Sequence, residues 1–239
     1  MGGQVSGQVS GPLEAVQQMV RGCEACHLRG GCVGPVPVEG RVQARYLFVG
    51  EAPGRNEDEQ GRPFIGGAGK LLREVVRRAG VFSREVAYTN VVRCRPEKNR
   101  TPVQGEVEAC RHNLAMEMAV MQARVVVLVG ATAFNVFRPD LQVSKHHSIP
   151  MMLSEGRVAV GCVHPAAAMR QPAMERDVER AVKEAKKRAV KGVMADWPEG
   201  CVVCGGEGAY ADSMGVFYCA GHEWKRDRWR ESGRQRMMV

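Results

Sequence analysis

The sequence lacks the features of a membrane-spanning or exported protein. No segment approaches the ~20 consecutive apolar residues that a transmembrane helix needs. The first residues also lack the basic and then apolar pattern of a secretory signal. No internal repeat is present, which excludes an architecture of stacked repeats. We therefore expect a cytoplasmic protein that does not associate with membranes.

The chain also lacks the even cysteine count of a fully paired set, since it has nine cysteines. Disulfide frameworks are typical of exported proteins, in which cysteines pair. Because the sequence shows no export signal and the count is odd, the cysteines are better explained as metal ligands and core residues.

The composition is that of a folded, basic protein. The 239 residues are 44% hydrophobic and 25% charged, which suffices for one substantial α/β core and a small appendage. The net charge of +8 indicates a polyanionic partner, for which DNA or RNA is the usual candidate. Charge alone is weak support, because many basic proteins bind no nucleic acid.

Strand-like and helix-like runs alternate through the middle of the chain. Buried strands are predicted at residues 44–50, 85–92, 124–130 and 157–164, and helices at residues 69–79, 103–122, 131–137 and about 173–191. Pro102 suits the first turn of the second of these helices. The alternation predicts a three-layer α/β/α sandwich with a central four-stranded, mainly parallel sheet.

Three segments are predicted to meet where strands end. Residues 50–54 follow the first strand, Asn90 lies near the end of the second, and His164 follows the fourth. Ligands of open α/β sheets bind beyond the carboxyl ends of the strands. The pattern alone therefore predicts a site formed by these segments.

Four cysteines in the first half of the chain are candidate metal ligands. Cys23 and Cys26 form a C-x2-C pair, and Cys94 and Cys110 follow in the middle of the chain. Four thiolates can hold a tetrahedral zinc ion or a [4Fe–4S] cluster, and the spacing does not choose between them. Cys94 and Cys110 can equally be buried core residues. Cys32 is a spare thiol that can compete for ligation or simply pack.

A second cysteine set has the spacing of a zinc finger. Cys201 and Cys204 are followed, after fourteen residues, by Cys219 and His222. Two such ligand pairs predict a structural zinc site whose metal supplies most of the folding free energy of a small module. Cys162 lies within a predicted strand and is expected in the core.

The chain is thus divided into three parts. We predict a flexible tail (residues 1–11), a main domain (12–195) and a small C-terminal zinc-binding module that ends in a basic tail (196–239). Residues 223–239 hold six Lys or Arg and three Asp or Glu, with two tryptophans among them. Such a tail can bind DNA or can simply be solvated.

Three segments resemble the motifs of family-4 uracil-DNA glycosylases. They read GEAPG and GRPFIGGAG at residues 50–54 and 61–69, YTNVVRCRP and NRTP at 88–96 and 99–102, and HPAAAMR at 164–170. They occur in the family's order, and the resemblance covers about residues 13–190. It implies a monomeric enzyme that hydrolyses the N-glycosidic bond of deoxyuridine in single- or double-stranded DNA. The C-terminal module departs from the family's pattern.

The resemblance also implies a cofactor. The cysteines match the family's cluster ligands at Cys23, Cys26, Cys94 and Cys110. A [4Fe–4S] cluster is therefore favoured over zinc, and over the interpretation that these cysteines only fill the core.

By the same resemblance, three side chains read and release the base. A base inside a duplex is out of reach, so it must be flipped into a pocket. Asn90 would pair with uracil O4 and N3–H, because its carboxamide offers an acceptor and a donor together. Phe64 would stack on the base, although without the motif a role as a core aromatic would be favoured. His164 would donate to uracil O2 and stabilise the negative charge of the leaving base.

The loop after the first strand contributes further substrate contacts. Glu51 would position the attacking water or shape the loop, and both roles stay open. Ala52 and Gly54 would contact the substrate through a closely approaching backbone. Glu57 would contact the C5 side of the base and exclude thymine. No aspartate follows Glu51 where related family-1 enzymes carry a water activator, which favours largely dissociative cleavage.

A charged loop is predicted to bind DNA. Arg95, Lys98, Asn99 and Arg100 would contact phosphates, as would Arg170, unless they form only a solvated surface. No histidine lies between the second motif's cysteine and Pro102, which argues against the covalent uracil adduct of a related branch. Two alternatives to uracil removal are a non-catalytic DNA-binding adaptor and a glycosylase for another deaminated base, such as xanthine or hypoxanthine.

Overall fold

A five-stranded sheet forms the centre of the molecule. The computed structural model describes residues 11–153, 157–191, 210–211 and 217–218. The strands of this sheet are β1 (Tyr46–Gly50), β2 (Val86–Asn90), β3 (Val125–Val129), β4 (Pro150–Met152) and β5 (Val158–Cys162). Their order is β2-β1-β3-β5-β4, with β4 antiparallel to β5 and the other pairs parallel.

The predicted four-stranded sheet is wrong by one strand. The missed strand, β4, has three residues and begins with a proline, so it shows neither the length nor the alternation that predicts a strand. It lies at the edge of the sheet, where a missing N–H is tolerated. The four parallel strands lie where they were predicted.

Helices connect the strands and cover the sheet. They are α1 (Pro12–Arg21), α2 (Arg55–Gln60), α3 (Gly67–Arg78), α4 (Gln104–Val120), α5 (Ala131–Phe137), α6 (Val143–His146), α7 (Pro165–Arg170) and α8 (Glu175–Lys191). Helices α3, α4, α5 and α8 agree with the predicted ones. Pro102 lies before the N-cap residue Val103 of α4, so its predicted place in the first turn is wrong.

The three-layer arrangement is confirmed by the packing. Leu47 of β1 faces a core that includes Phe134 of α5 and Leu114 of α4. Its neighbour Phe48 faces a second core, with Leu72 of α3 and residues of α8. Successive strand residues point to opposite faces. Every residue of β1 is therefore buried, which explains the continuous apolar run in the sequence.

The strand order places the ends of the strands at one edge. The chain passes from β1 to β2 on one side and then to β3 on the other side of β1. Gly50 and Asn90, the last residues of β1 and β2, are directly paired. The order reverses between β1 and β3, which is where open α/β sheets bind ligands.

In the C-terminal segment, the structure describes two short strands. These are β6 (Tyr210–Ala211) and β7 (Phe217–Tyr218), which pair antiparallel. The tail of residues 1–10 and the predicted zinc ligands lie outside the described residues: Cys201, Cys204, Cys219 and His222. Within the described ranges, no helix is long and apolar enough to cross a membrane.

Candidate active site

A cavity opens at the carboxyl ends of the parallel strands. Its volume is about 450 Å³, in the range of small-molecule sites. It brings together predicted site residues from all three motifs: Glu51, Ala52, Gly54, Glu57, Phe64, Asn90, Asn99, Arg100 and His164. Arg95, Lys98 and Arg170 do not line it.

Asn90 and Phe64 meet over the bare backbone of Gly50. A Cβ atom on residue 50 would lie 2.5 Å from Oδ1 of Asn90 and 2.6 Å from Cζ of Phe64. Asn90 and Phe64 are both buried, with 4% and 8% of their surfaces exposed. A glycine is therefore required at the end of β1 for a carboxamide and an aromatic ring to share one wall of the cavity.

Glu57 holds the loop that carries Phe64. Its Oε1 accepts hydrogen bonds from the backbone N–H groups of Ile65 (3.0 Å) and Gly66 (2.6 Å). Gly54 and Gly66 both leave room for this carboxylate, because a Cβ atom on either would lie within 3.0 Å of a carboxylate oxygen. Glu57 thus lines the cavity and also connects two of its loops.

His164 is fixed as the N-cap residue of α7. Its Nδ1 accepts a hydrogen bond of 3.2 Å from the N–H of Ala166. In a neutral imidazole this assigns the proton to Nε2, which becomes a donor. Burial lowers the pKa of His164 below the usual 6.5; Arg170 acts in the same direction, and Glu51 opposes it. The side chain is therefore a neutral hydrogen-bond donor that lines the cavity.

Gly130 is a site residue that the sequence did not reveal. It lies between β3 and α5 with φ of 88°, in a region that residues with side chains rarely adopt. A Cβ atom there would lie 3.0 Å from Cδ2 of His164. The only signal in the sequence was a glycine at the end of a strand.

Thr132 is a second missed residue. Its hydroxyl, at the start of α5, donates to Oε2 of Glu51. The backbone around Glu51 is also held, since the N–H of Val92 donates to the Glu51 carbonyl (3.0 Å). Glu51 is thus oriented by residues that follow two different strands.

The charged loop after Cys94 is organised by internal contacts. Nε of Arg95 donates to Oδ1 of Asn99 (2.6 Å), and Lys98 lies 3.5 Å from Glu97. Arg100 donates to the buried carboxylate of Glu106 (2.8 Å). The guanidinium of Arg100 is therefore directed towards α4, although the residue also lines the cavity.

The four predicted cluster ligands line one small cavity of their own: Cys23, Cys26, Cys94 and Cys110. Two donors point at these sulfurs. The N–H of Arg93 lies 3.3 Å from Cys110 Sγ, and Nδ2 of Asn113 lies 3.2 Å from Cys23 Sγ. Cys32 lies outside this cavity, and Cys162 is fully buried in β5, which confirms its place in the core.

A buried ion pair lies beside the smaller cavity, which Arg93 lines. Arg93 and Glu117 have fully buried side chains, with Nη2 and Oε2 at 2.6 Å. Glu117 also accepts hydrogen bonds from the Thr89 hydroxyl and from the N–H of Val38. Since Arg93 lies between Asn90 and Cys94 in the chain, this pair supports both regions.

No group of three or more His, Cys, Asp or Glu side chains among the described residues is arranged to hold a single metal ion.

Comparisons with known proteins agree with this geometry. A family model described as the uracil DNA glycosylase superfamily matches residues 37–186. A "Type-4 uracil-DNA glycosylase" of Thermotoga maritima is 37% identical over 183 residues, which cover 73% of this chain and 95% of that protein. Proteins of the same name from Pyrobaculum aerophilum (35%, covering 70% of this chain and 90% of that protein) and Sulfurisphaera tokodaii (32%, covering 74% and 85%) are also similar.

Proposed function

The chain belongs to the uracil DNA glycosylase superfamily, and we propose that it hydrolyses the N-glycosidic bond of deoxyuridine in DNA, releasing uracil and leaving an abasic site. Relatives that it covers almost completely are named Type-4 uracil-DNA glycosylases. The enzyme is accordingly a uracil-DNA glycosylase that acts in DNA repair. The observation that carries the proposal is the meeting of Asn90, Phe64 and His164 in one cavity.

Asn90 and Phe64 recognise the flipped base. The carboxamide of Asn90 accepts from uracil N3–H and donates to O4, whereas cytosine presents the reverse pattern. Phe64 stacks on the base from the adjoining wall, which favours a planar ring. Both side chains are buried and packed over Gly50, so little motion has to be lost when the base binds.

His164 stabilises the departing base. When the bond between C1′ of the sugar and N1 of uracil breaks, its electron pair passes to the base, and negative charge develops on O2. A neutral imidazole whose Nδ1 is occupied by Ala166 presents its Nε2–H to this charge. Water then adds to C1′ and loses a proton to solvent, and the released uracil anion takes up a proton. Glu51, oriented by Thr132, either positions this water or shapes the loop.

Backbone and basic groups hold the DNA around the flipped nucleotide. Ala52 and Gly54 provide a closely approaching backbone, and Glu57, which lines the same cavity, excludes a C5 methyl group. Arg95, Lys98 and Asn99 contact phosphates from the loop beside the cavity, and Arg170 does so from the end of α7, which rests on their charge and polarity. Arg100, predicted for the same role, is instead engaged by Glu106.

The four cysteines of the smaller cavity fit a [4Fe–4S] cluster. The donor set is Cys23, Cys26, Cys94 and Cys110, and N–H groups of Arg93 and Asn113 point at its sulfurs, as thiolates require. The cluster would tie the segment after α1, the loop after β2 and α4 together and supply no redox step. The C-terminal set of three cysteines and His222 is proposed to bind a structural zinc.

The activity is tested with a uracil-containing oligonucleotide that is incubated with enzyme and then cleaved by alkali. We expect strand cleavage with the wild type and a kcat lower by about 10²- to 10³-fold in His164→Ala, since one transition-state donor is lost. Asn90→Ala should also be impaired. His146→Ala, whose ring bonds to Gln142 outside the cavity, is the matched control.

The alternatives give different results in the same assay. An adaptor would bind the oligonucleotide without cleavage by the wild type. A glycosylase for another base would cleave hypoxanthine or xanthine oligonucleotides in preference to uracil. The cofactor is tested separately. We expect a brown protein with four irons per chain that absorbs at roughly 400 nm. A colourless protein that contains only zinc would refute the cluster.

A further inference from the structure

Phe64 adopts a backbone conformation that an aromatic residue rarely adopts. Its φ is 55°, in the left-handed region. Such a conformation persists only where surrounding contacts hold it. Because φ and ψ set the direction of Cβ, the same contacts determine where the ring lies relative to Asn90 and Gly50.

Arg73 of α3 binds the backbone at this point. Its Nε donates to the Phe64 carbonyl (3.0 Å), and its Nη2 donates to the Pro63 carbonyl (3.0 Å). On the other side of the same turn, Glu57 accepts from the next two N–H groups. The Arg73 guanidinium thus binds two successive carbonyl groups of this turn, and the Glu57 carboxylate binds the next two N–H groups.

The guanidinium of Arg73 is itself held from behind. Its Nη2 lies 3.1 Å from Oε1 of Glu39, and its Cζ lies 4.1 Å from the centre of the Tyr88 ring. The Phe64 ring packs against the same Tyr88 ring, with the centroids 5.4 Å apart. Arg73, Tyr88 and Phe64 therefore form a continuous row of contacts that ends in the cavity.

Two residues on one face of α3 contact the Phe64 backbone. Gly69 lies one turn before Arg73, and a Cβ atom on residue 69 would overlap the carbonyl group of Phe64. Because residue 69 has no side chain, the helix lies directly against the Phe64 backbone, and Arg73 can bond to that backbone one turn later. Arg73 therefore bonds to the carbonyl of the residue that stacks on the base and to the carbonyl of the residue before it.

We propose that Arg73, supported by Glu39, is a positioning residue that holds Phe64 in its base-stacking place from outside the cavity. The inference rests on the proposed role of Phe64 in binding uracil. When Arg73 is lost, Phe64 relaxes towards an ordinary conformation and its ring leaves the wall that it shares with Asn90. Binding of uracil weakens, whereas the donor on His164 is unchanged.

The experiment is a double-mutant cycle between Arg73→Ala and Phe64→Ala. Free uracil is used as the probe, and its inhibition constant is measured with the holoenzyme, together with kcat and KM for the oligonucleotide. Each single variant should weaken inhibition by uracil roughly tenfold, and the double variant should be no worse than Phe64→Ala. KM should rise more than kcat falls.

Arg77→Ala is the matched control. Arg77 lies one turn further along α3 and is exposed, paired with Glu74. It should bind uracil like the wild type. If Arg73→Ala fails to fold, Arg73→Lys replaces it, because an ammonium lacks the planar fork that reaches two carbonyls and Glu39 together.

Additive losses in the double variant would overturn the proposal, as would uracil inhibition in Arg73→Ala or Arg73→Lys equal to that of Arg77→Ala. Unchanged inhibition in Phe64→Ala would overturn it together with the stacking role of Phe64. Failure of the glycosylase function itself is distinguishable, because it would appear as absent cleavage by the wild type.

Discussion

The base-binding cavity and the cysteine-lined cavity adjoin the same stretch of chain, residues 90–94, yet they are built differently. The first depends on missing side chains: Gly50, Gly69 and Gly130 let functional groups approach the backbone. The second depends on buried polar groups, of which the Arg93–Glu117 pair is fully enclosed. Changes to the first region should therefore reduce activity, and changes to the second should reduce stability.

The largest expected effect is the loss of the buried ion pair. Glu117→Leu leaves the guanidinium of Arg93 buried without its counter-charge, which should lower the free energy of unfolding by about 3–5 kcal/mol. Chemical denaturation of the cluster-containing protein measures this loss. Glu108→Leu on the same helix is the control, because the Glu108 side chain bonds to the exposed Gln104 side chain rather than to a buried charge. Equal stability of the two variants would contradict the expectation that the cysteine region depends on its buried polar groups.

Two glycine substitutions test the first region, the base-binding cavity. Gly130→Ala and Gly61→Ala both place a side chain at positive φ (88° and 64°), so both should lose about 1–3 kcal/mol of stability. Only the first pushes on His164, because no atom lies within 4 Å of a Cβ at residue 61. We expect kcat to fall roughly 10- to 100-fold in Gly130→Ala alone. Equal kcat in the two variants would show that Gly130 does not position His164.

The same contrast explains what the sequence could reveal. Asn90 and His164 follow predicted strands and lie within recognisable motifs, so strand ends and resemblance located both. Thr132 and Gly130 carry no motif, and their importance depends on which side chains from other strands reach them. A short polar residue beside a predicted helix gives no indication of a partner 81 residues earlier in the chain.

The supporting charges were missed for a related reason. Arg93 and Glu117 are 24 residues apart and read as ordinary surface residues until β2 and α4 are packed together. Arg100 was predicted to contact phosphate, and the structure directs its guanidinium to Glu106. Long-range pairing of charged residues depends on tertiary packing, which local patterns do not encode.

The third effect is a shift in pH dependence. Because burial, aided by Arg170, lowers the pKa of His164, kcat should stay constant through neutral pH and fall only in more acidic solution, by about tenfold per pH unit once protonation dominates. Protonation would place a hydrogen on Nδ1, which already accepts from Ala166. Arg170→Gln removes a positive charge that disfavours the imidazolium, so the acid limb should move to higher pH by less than about one unit.

The exposed Arg180, which pairs with Asp177 on α8, provides the control for this measurement. Arg180→Gln should leave the acid limb of the pH profile in place. A limb that does not move in Arg170→Gln, or that moves to lower pH, would mean that His164 does not control it.

The smallest effect concerns a donor to the cysteines proposed to bind the cluster. Asn113→Ala removes the N–H groups that point at Cys23 and Cys110, at a cost of about 1 kcal/mol, the usual worth of a hydrogen bond. Iron should be lost faster to a chelator than in Gln104→Ala, a change at the exposed start of the same helix. The kcat of cluster-loaded enzyme should be unchanged, since Asn113 lies outside the base-binding cavity. A lower kcat with the full iron content would mean that the cysteine region also sets the geometry of the base-binding cavity, through residues 90–94 that both regions share.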